Sequence, residues 1–383
     1  MPENKYSAKN IKPLTPREHV RLRPGMYIGG TGKRALHHMI YQVLDHMVEE
    51  AFVGRCDHVM IELHPDNRVV MQDNSEGLPT AMYRDTSLTW MEALLQDIFT
   101  YKNHLEPEVY GAAGGIRGLG LMPINCVSAY FVVENYRDGT LWKLSYEKGL
   151  PKAPVTRLRD KISESMQGTR FTFAPDYDIF EDVSFDFDTV CRRAQTVAML
   201  TPGLKVDVHD KRDGQARTFL YQDGLKARVL DSTAGDDTFH DVVYIQEDVP
   251  TRQADGEETL IGIEIVFQFG AYEQGELQNF VNTVETRGGV HVTAFKATLL
   301  ACLNDHTGYA RERPDFVWDD IADNLIAIIS VRHADPQFES PTKMNLYNHD
   351  VYAPVADCVF RAFSPAGNHQ HRRLLNGIIK AIS

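Results

Sequence analysis

Positive charge is scarce in this chain. Against 53 Asp and Glu it carries only 40 Lys and Arg, a formal net charge of −13, so bulk attraction to nucleic acid is excluded and any DNA contact has to come from a local basic surface. Cysteine is sparse as well. Cys56, Cys126, Cys191, Cys302 and Cys358 lie far apart with no CxxC pair, which argues against a disulfide framework or a structural zinc site and for a reducing, cytoplasmic setting. The first residues, Met1-Pro2-Glu3-Asn4-Lys5, lack the apolar core of a signal peptide. No apolar run approaches the roughly 18 residues of a membrane span; the longest, such as Leu325 to Val331, fit a buried strand. What is present is a 383-residue chain, 43% hydrophobic, able to bury a sizeable core and long enough for two domains of ordinary size.

The chemistry-bearing residues gather around one stretch. Gln42, His46 and Glu50 recur every four residues among Ile40, Val43, Leu44, Met47, Val48, Ala51 and Phe52, so a helix from about Ala35 to Gly54 puts all three polar groups on one face. Two strand-like runs follow, Val59 to Leu63 and Arg68 to Gln72, turned at His64-Pro65-Asp66-Asn67. The second delivers Asp73 into the turn Asn74-Ser75-Glu76-Gly77-Leu78-Pro79. Helix, hairpin and acidic turn then form one wall of a site.

This pattern, Tyr41 through Gly54 with Asp73 and Gly77-Leu78-Pro79, resembles the ATP-binding core of the gyrase B and ParE subunits, the type IIA topoisomerase members of the GHKL superfamily. The N-terminal Tyr6, Ile11 and Arg21-Leu22-Arg23-Pro24-Gly25-Met26-Tyr27-Ile28-Gly29 are similar to the arm and RPGMYIG signature of that family. On composition residues 1–15 read as a disordered tail; the resemblance implies instead an arm that crosses to a second subunit and caps its nucleotide, hence a homodimer formed on ATP binding. Two positions depart from the pattern. Where the family has a general-base glutamate this chain has Gln42, and an uncharged amide cannot take a proton from water, a loss typically of about 10² to 10⁴ in rate. Where the family has a magnesium-binding asparagine this chain has His46, whose imidazole suits Mg2+ poorly. Either the metal is held by phosphates and water alone, or a protonated His46 pairs with phosphate directly.

Asp73 is retained, and a carboxylate on an apolar floor accepts a hydrogen bond from an adenine amine, worth about 1.5–3 kcal/mol. The resemblance assigns Gly77, Leu78, Pro79 and Thr169, the last in the strand-like run Gly168 to Phe173, to the same nucleotide. In the turn, Ser75 stands where the family has glycine, at a cost in backbone freedom. Glu76 replaces the arginine that pairs with the acid matching Glu50, so two carboxylates are expected to face one another, raising a pKa or drawing in another cation. Glycine clusters are common in turns, but Gly114-Gly115-Ile116-Arg117-Gly118-Leu119-Gly120-Leu121 opens an apolar helical run, where backbone N–H groups can hold a triphosphate. It is similar to the family's lid, with Arg117 in place of a histidine and Lys102 as a lid-lysine candidate.

Further strands are expected at Tyr130 to Glu134 and Leu141 to Tyr146, joined at Arg137-Asp138-Gly139, then a helix from about Asp186 to Leu200 and a strand at Lys205 to His209. Polar loops at Asp231 to Asp237 and Arg252 to Glu258 flank the start of a second unit. It holds strands at Ile261 to Phe269, Leu277 to Val284 and Leu325 to His333 and a helix near Val292 to Leu303. The expected class is α+β: a GHKL (Bergerat) ATP-binding α/β sandwich at 16–222, preceded by the arm at 1–15 and followed by a ribosomal-S5-like transducer domain at 223–383. In the transducer, Pro341-Thr342-Lys343 is similar to a Gln-Thr-Lys loop, and the resemblance gives Lys343 the γ-phosphate. C-terminal helices at Val351 to Phe363 and His369 to Ile382 carry Arg361, Arg372, Arg373 and Lys380, which the likeness turns toward DNA in a clamp cavity. No metal-binding acidic set for DNA cleavage follows, so strand passage calls for a cleavage subunit or domain elsewhere. Two functions are carried forward: an ATP-binding clamp impaired in hydrolysis, and a non-enzymatic gyrase-B-like binding or regulatory protein that no longer uses ATP.

Overall fold

The computed structural model describes residues 13–97, 120–160, 166–252, 258–307, 316–339, 343–363 and 378–379. Helix α1 (Pro16–Leu22) opens on a capping box: the Glu18 amide donates to the Thr15 hydroxyl at 3.2 Å while the Thr15 amide donates to the Glu18 carboxylate at 2.8 Å. One turn, α2 (Gly25–Ile28), leads to α3 (Lys33–Phe52), the expected helix begun two residues earlier. Its Leu36, Met39, Ile40, Val43, Leu44, Met47 and Val48 are fully buried at helical spacing.

That stripe packs on a mixed sheet built in chain order. Strands β1 (His58–Leu63) and β2 (Val69–Asp73) form the expected hairpin. After α4 (Trp90–Gln96) and α5 (Met122–Val127) come β3 (Ser128–Arg137), β4 (Thr140–Glu147), β5 (Leu150–Pro151), β6 (Thr156–Asp160) and β7 (Gly168–Pro175). Helix α6 (Phe187–Leu200), β8 (Lys205–Asp210) and β9 (Ala216–Phe219) complete the layer. Sheet order is β5-β4-β3-β7-β2-β1-β8-β9 with β6 beside β4, and among the described residues only β1 and β8 of this sheet run parallel. The β3–β4 turn is two residues, Asp138 and Gly139, with φ of 51° and 67°, the mirror-image turn that matches strand twist. Asp186, expected at the start of a helix, caps α6 by accepting the Thr189 amide at 2.8 Å.

Helix α7 (Gly224–Ser232) precedes a second sheet: β10 (Val243–Arg252), β11 (Glu258–Phe269), β12 (Glu276–Val281) and the short β13 (Val284–Glu285). Then come β14 (Gly288–Gly289), α8 (Val290–Thr307), α9 (Trp318–Ala322), β15 (Leu325–Arg332), β16 (Asn345–Leu346) and α10 (Tyr352–Phe363). The sheet runs β10-β11-β15-β12-β13. Alternation in β11 sends Ile261, Ile263, Ile265, Phe267 and Phe269 into a core with Phe295 of α8 and Val355 and Val359 of α10. Its other face sends Val266, with Phe280, Ile326 and Ile328, into the first core.

One expectation is corrected here. Arg252 and Glu258, expected in a polar loop flanking the start of the second unit, are paired strand residues of β10 and β11, and 253–257 between them lie outside the described residues. Strand β10 escapes pattern reading because on this edge strand Glu247 falls on the covered side while Tyr244 and Pro250 fall on the exposed one, which blurs the alternation. Asp231 and Ser232 likewise belong to α7. Among the described residues no helix is long and apolar enough to cross a membrane.

Candidate functional site

Asp73 ends β2 and is only 4% exposed. Its Oδ1 accepts the Ser75 amide at 2.9 Å and the Thr169 amide at 3.0 Å. Burial pushes its carboxyl pKa up, while the Ser75 hydroxyl, the two amides and the distant Glu50 charge modulate that shift. Gly168 lets β7 pass close: its φ is +115°, and a Cβ there would be driven into the Asp73 carbonyl oxygen. Asn74 ties the turn to β1, accepting the Asp57 and His58 amides at 3.1 Å each.

The glycine turn is built just as tightly. Gly77 has φ +80°, and a Cβ would stand 2.7 Å from Asn135 Oδ1. Asn135, wholly buried on β3, takes the Leu78 amide at 2.7 Å and donates to the Leu78 carbonyl at 3.0 Å, and the Thr169 hydroxyl donates to it at 3.3 Å. Leu78 is thereby fixed as an apolar wall beside Asp73 and Thr169, while Pro79 lies exposed at the rim. Asn135 was missed in the sequence because a lone asparagine in a strand carries no local signal; its role comes from the register of β3 on β7, which sets it opposite Thr169.

Two expectations about this turn are overturned. Ser75 is absent from the positive-φ residues, so it costs no backbone freedom; its Oγ accepts the Gly77 amide at 3.1 Å. Glu50 and Glu76 do not oppose one another. Glu50 pairs with Arg55 at 2.8 Å and Glu76 stands 4.0 Å from Arg137, which also donates to the Gly77 carbonyl at 2.5 Å. Two local arginines have taken over the neutralisation, one for each acid.

On α3 the polar residues face inward: Gln42 is buried and His46 nearly so, its ring edge-on to Phe171 at 5.8 Å. Burial lowers the His46 pKa to about 4, against the opposing pull of Glu50, so imidazole is neutral near pH 7. Without a phosphate beside it, the ring does not carry the proton that the alternative considered from sequence requires. Nor does the position fit magnesium, since a neutral ring nitrogen packed on Phe171 offers no hard oxygen, and among the described residues no group of three or more His, Cys, Asp or Glu could hold a metal ion. One turn earlier than Gln42 lies His38, its pKa lowered to about 4 by burial and then by the charges of Lys343, Arg193 and Arg34. Its Nε2 is buried without a hydrogen-bond partner among the described residues. Spacing of four from Gln42 was the signal that could have found it.

Lys343 reaches this face from the second unit. Its ammonium lies 5.7 Å over the Phe338 ring, and burial brings its pKa down to about 8 although the Asp45 charge holds it up. Asp45 is 5% exposed and pairs with Arg193 of α6. Of the lid, Gly120 with φ +52° and buried Leu121 lead into α5. Tyr6, Ile11, Lys102, Gly115, Ile116, Arg117, Gly118 and Leu119, as well as Pro341, Thr342, Arg372, Arg373 and Lys380, lie outside the described residues. The structure thus brings Asp73, Gly77, Leu78 and Thr169 together in one wall and sets Lys343 within electrostatic reach of His38 and Asp45 on the helix that carries Gln42 and His46.

A family model described as DNA gyrase B matches residues 224–382. The DNA gyrase B protein of Thermotoga maritima is 36% identical over 356 residues, covering 92% of this chain and 55% of that protein. That of Archaeoglobus fulgidus is 32% identical over 358 residues, covering 93% and 55%. The chain spans about half the length of these curated relatives. Among solved structures, the 43K ATPase domain of Thermus thermophilus gyrase B in complex with an aminocoumarin superposes with TM-score 0.77 at 26% identity, covering 96% of this chain and 95% of that one. The DNA gyrase B protein from Myxococcus xanthus gives 0.73 at 24%, covering 96% and 98%, a likeness of fold alone.

Proposed function

The chain belongs to the gyrase B and ParE family of GHKL proteins, with its GHKL-like α+β fold, and from that premise we propose that it binds ATP in a clamp and hydrolyses it slowly or not at all. The observation that carries this reading is the Asp73 wall: a buried carboxylate held by the Ser75 and Thr169 amides beside the Asn135-braced Leu78. Such an acceptor on an apolar floor fits a purine with an exocyclic amine. Asp73 accepts from that amine, Thr169 shares its hydrogen bonds, and Gly77, Leu78 and Pro79 shape the base pocket. Gly115, Ile116, Arg117, Gly118, Leu119, Gly120 and Leu121, with Lys102, are assigned to the phosphates.

Opposite that wall the chemistry is missing. Gln42 has no basic atom for the proton of an attacking water, and neutral His46 can neither carry charge to a phosphate nor hold a hard cation. Magnesium arriving with nucleotide is therefore held by phosphate and water oxygens. Lys343 is the cation of the second unit assigned to the terminal phosphate.

The wider reading follows the family: units at 1–15, 16–222 and 223–383, a cytoplasmic homodimer through the arm with Tyr6 and Ile11, DNA in the clamp cavity, and a gyrase- or topoisomerase-IV-type cleavage partner. Calorimetric titration of the full chain with a non-hydrolysable ATP analogue, with and without Mg2+, tests the core of it. Binding heat and a thermal shift in both conditions are expected. No heat and no shift would leave the gyrase-B-like binding protein that no longer uses ATP.

A further inference from the structure

The two sheets meet over apolar surface, through Val266, Phe280, Ile326 and Ile328. Apolar packing is non-directional and fixes no register. Beside it lies a small crevice of about 10 Å3 lined by Phe52, Leu200, Gly262, Glu264, Asn282 and Arg332. Polar bonds cross at Arg193. Its Nη1 donates to the Thr283 carbonyl at 2.6 Å, and its Nη2 donates to the Thr283 hydroxyl at 3.2 Å and to the Asp45 carboxylate. The guanidinium also stands 5.6 Å over the Tyr41 ring.

Thr283 is wholly buried in the turn between β12 and β13. That turn is a rigid part of the second sheet: Asn282 holds φ +52°, its amide donates to the Val331 carbonyl at 2.7 Å, and its side chain brackets His333 at 2.9 and 3.2 Å. A hold on Thr283 is therefore a hold on the whole sheet. Asp45, at the other end, lies on the helix that carries Gln42 and His46. We propose that Arg193 is a positioning residue which, by sharing one guanidinium between Asp45 of α3 and the Thr283 turn, sets the second sheet and the loop carrying Lys343 in register with the nucleotide helix. Its bearing on phosphate contact rests on the ATP reading above; the latch itself does not.

A residue that merely neutralises buried Asp45 would tolerate lysine, whereas one that also grips Thr283 through a planar fork would not. Amide hydrogen exchange of the full chain at Asn282 and Thr286 separates the two. Arg193→Lys should speed exchange there by about tenfold or more, the scale of lost hydrogen bonds to a charged group. Thr283→Ala, which removes the hydroxyl bond and leaves the carbonyl bond in place, should speed exchange less, and the double variant should add little beyond Arg193→Lys. Unchanged exchange in Arg193→Lys, or fully additive effects, overturns the latch. If the wild-type chain binds no ATP analogue, the functional reading falls while the exchange data still decide this one.

Discussion

The base-side wall and the helix face across from it have fared differently. At the wall the Asp73 carboxylate and the Gly77 and Leu78 amides have partners, and the departures from the family pattern, Ser75 and Glu76, meet the Gly77 amide at 3.1 Å and Arg137 at 4.0 Å. On α3 the departures change the chemistry itself: Gln42 is buried and His46 nearly so, but the Gln42 amide is no base for water and the neutral His46 ring is no hard ligand near pH 7. Recognition and bond cleavage are separable tasks, and the function proposed above has this chain keeping the residues for the first while replacing those for the second.

The largest effect that would sharpen this contrast is on rate. Gln42→Glu should raise steady-state ATP turnover by about 10²- to 10⁴-fold with little change in KM, read by phosphate release; an unchanged rate would mean the helix face is not where the reaction is limited. On the wall, Asp73→Asn should weaken analogue binding by about 10- to 100-fold, the worth of a hydrogen bond to a charged acceptor, while leaving the melting temperature nearly unchanged. Binding as tight as wild type would place the base elsewhere.

Protons separate the two regions as well. His38 and His46 are held near pKa 4 in the fold, below the value of about 6.5 in an unfolded chain. Their contribution to stability is therefore fully present above pH 6.5 and is lost as pH falls toward 4, on the order of 2–3 kcal/mol for each. Asp73 and Asp45, with raised pKa values, act in the opposite sense and offset part of that loss. Thermal melts from pH 7 to 5 should fall, and His46→Asn should flatten the curve. The smallest effect concerns Lys343, whose pKa is near 8. A terminal phosphate beside it would raise that value, so nucleotide binding should take up a fraction of a proton around pH 8 to 9, seen as a buffer dependence of the binding heat; Lys343→Met should abolish it.

Sequence pattern made much of this legible and some of it not. Helix α3, the β1–β2 hairpin, α6 and the buried β15 were readable because each carries its own apolar period over six residues or more. The Asp73 wall was readable because its residues sit in short, spaced motifs. Edge strand β10, the bracing by Asn135 and the Arg193–Thr283 bridge were not, because each depends on register or on contacts between residues far apart in the chain. At Glu50 and Glu76 the sequence made legible a charge conflict that could draw in another cation; that Arg55 and Arg137 supply it, one for each acid, is a matter of side-chain reach.

The most direct test follows the fate of nucleotide bound to the full chain. With ATP limiting and protein in excess, quenched samples analysed for ATP and ADP should show nucleotide bound and still intact in the wild type over a time in which Gln42→Glu converts it. ADP appearing equally fast in both, or no nucleotide retained by either, would contradict the account.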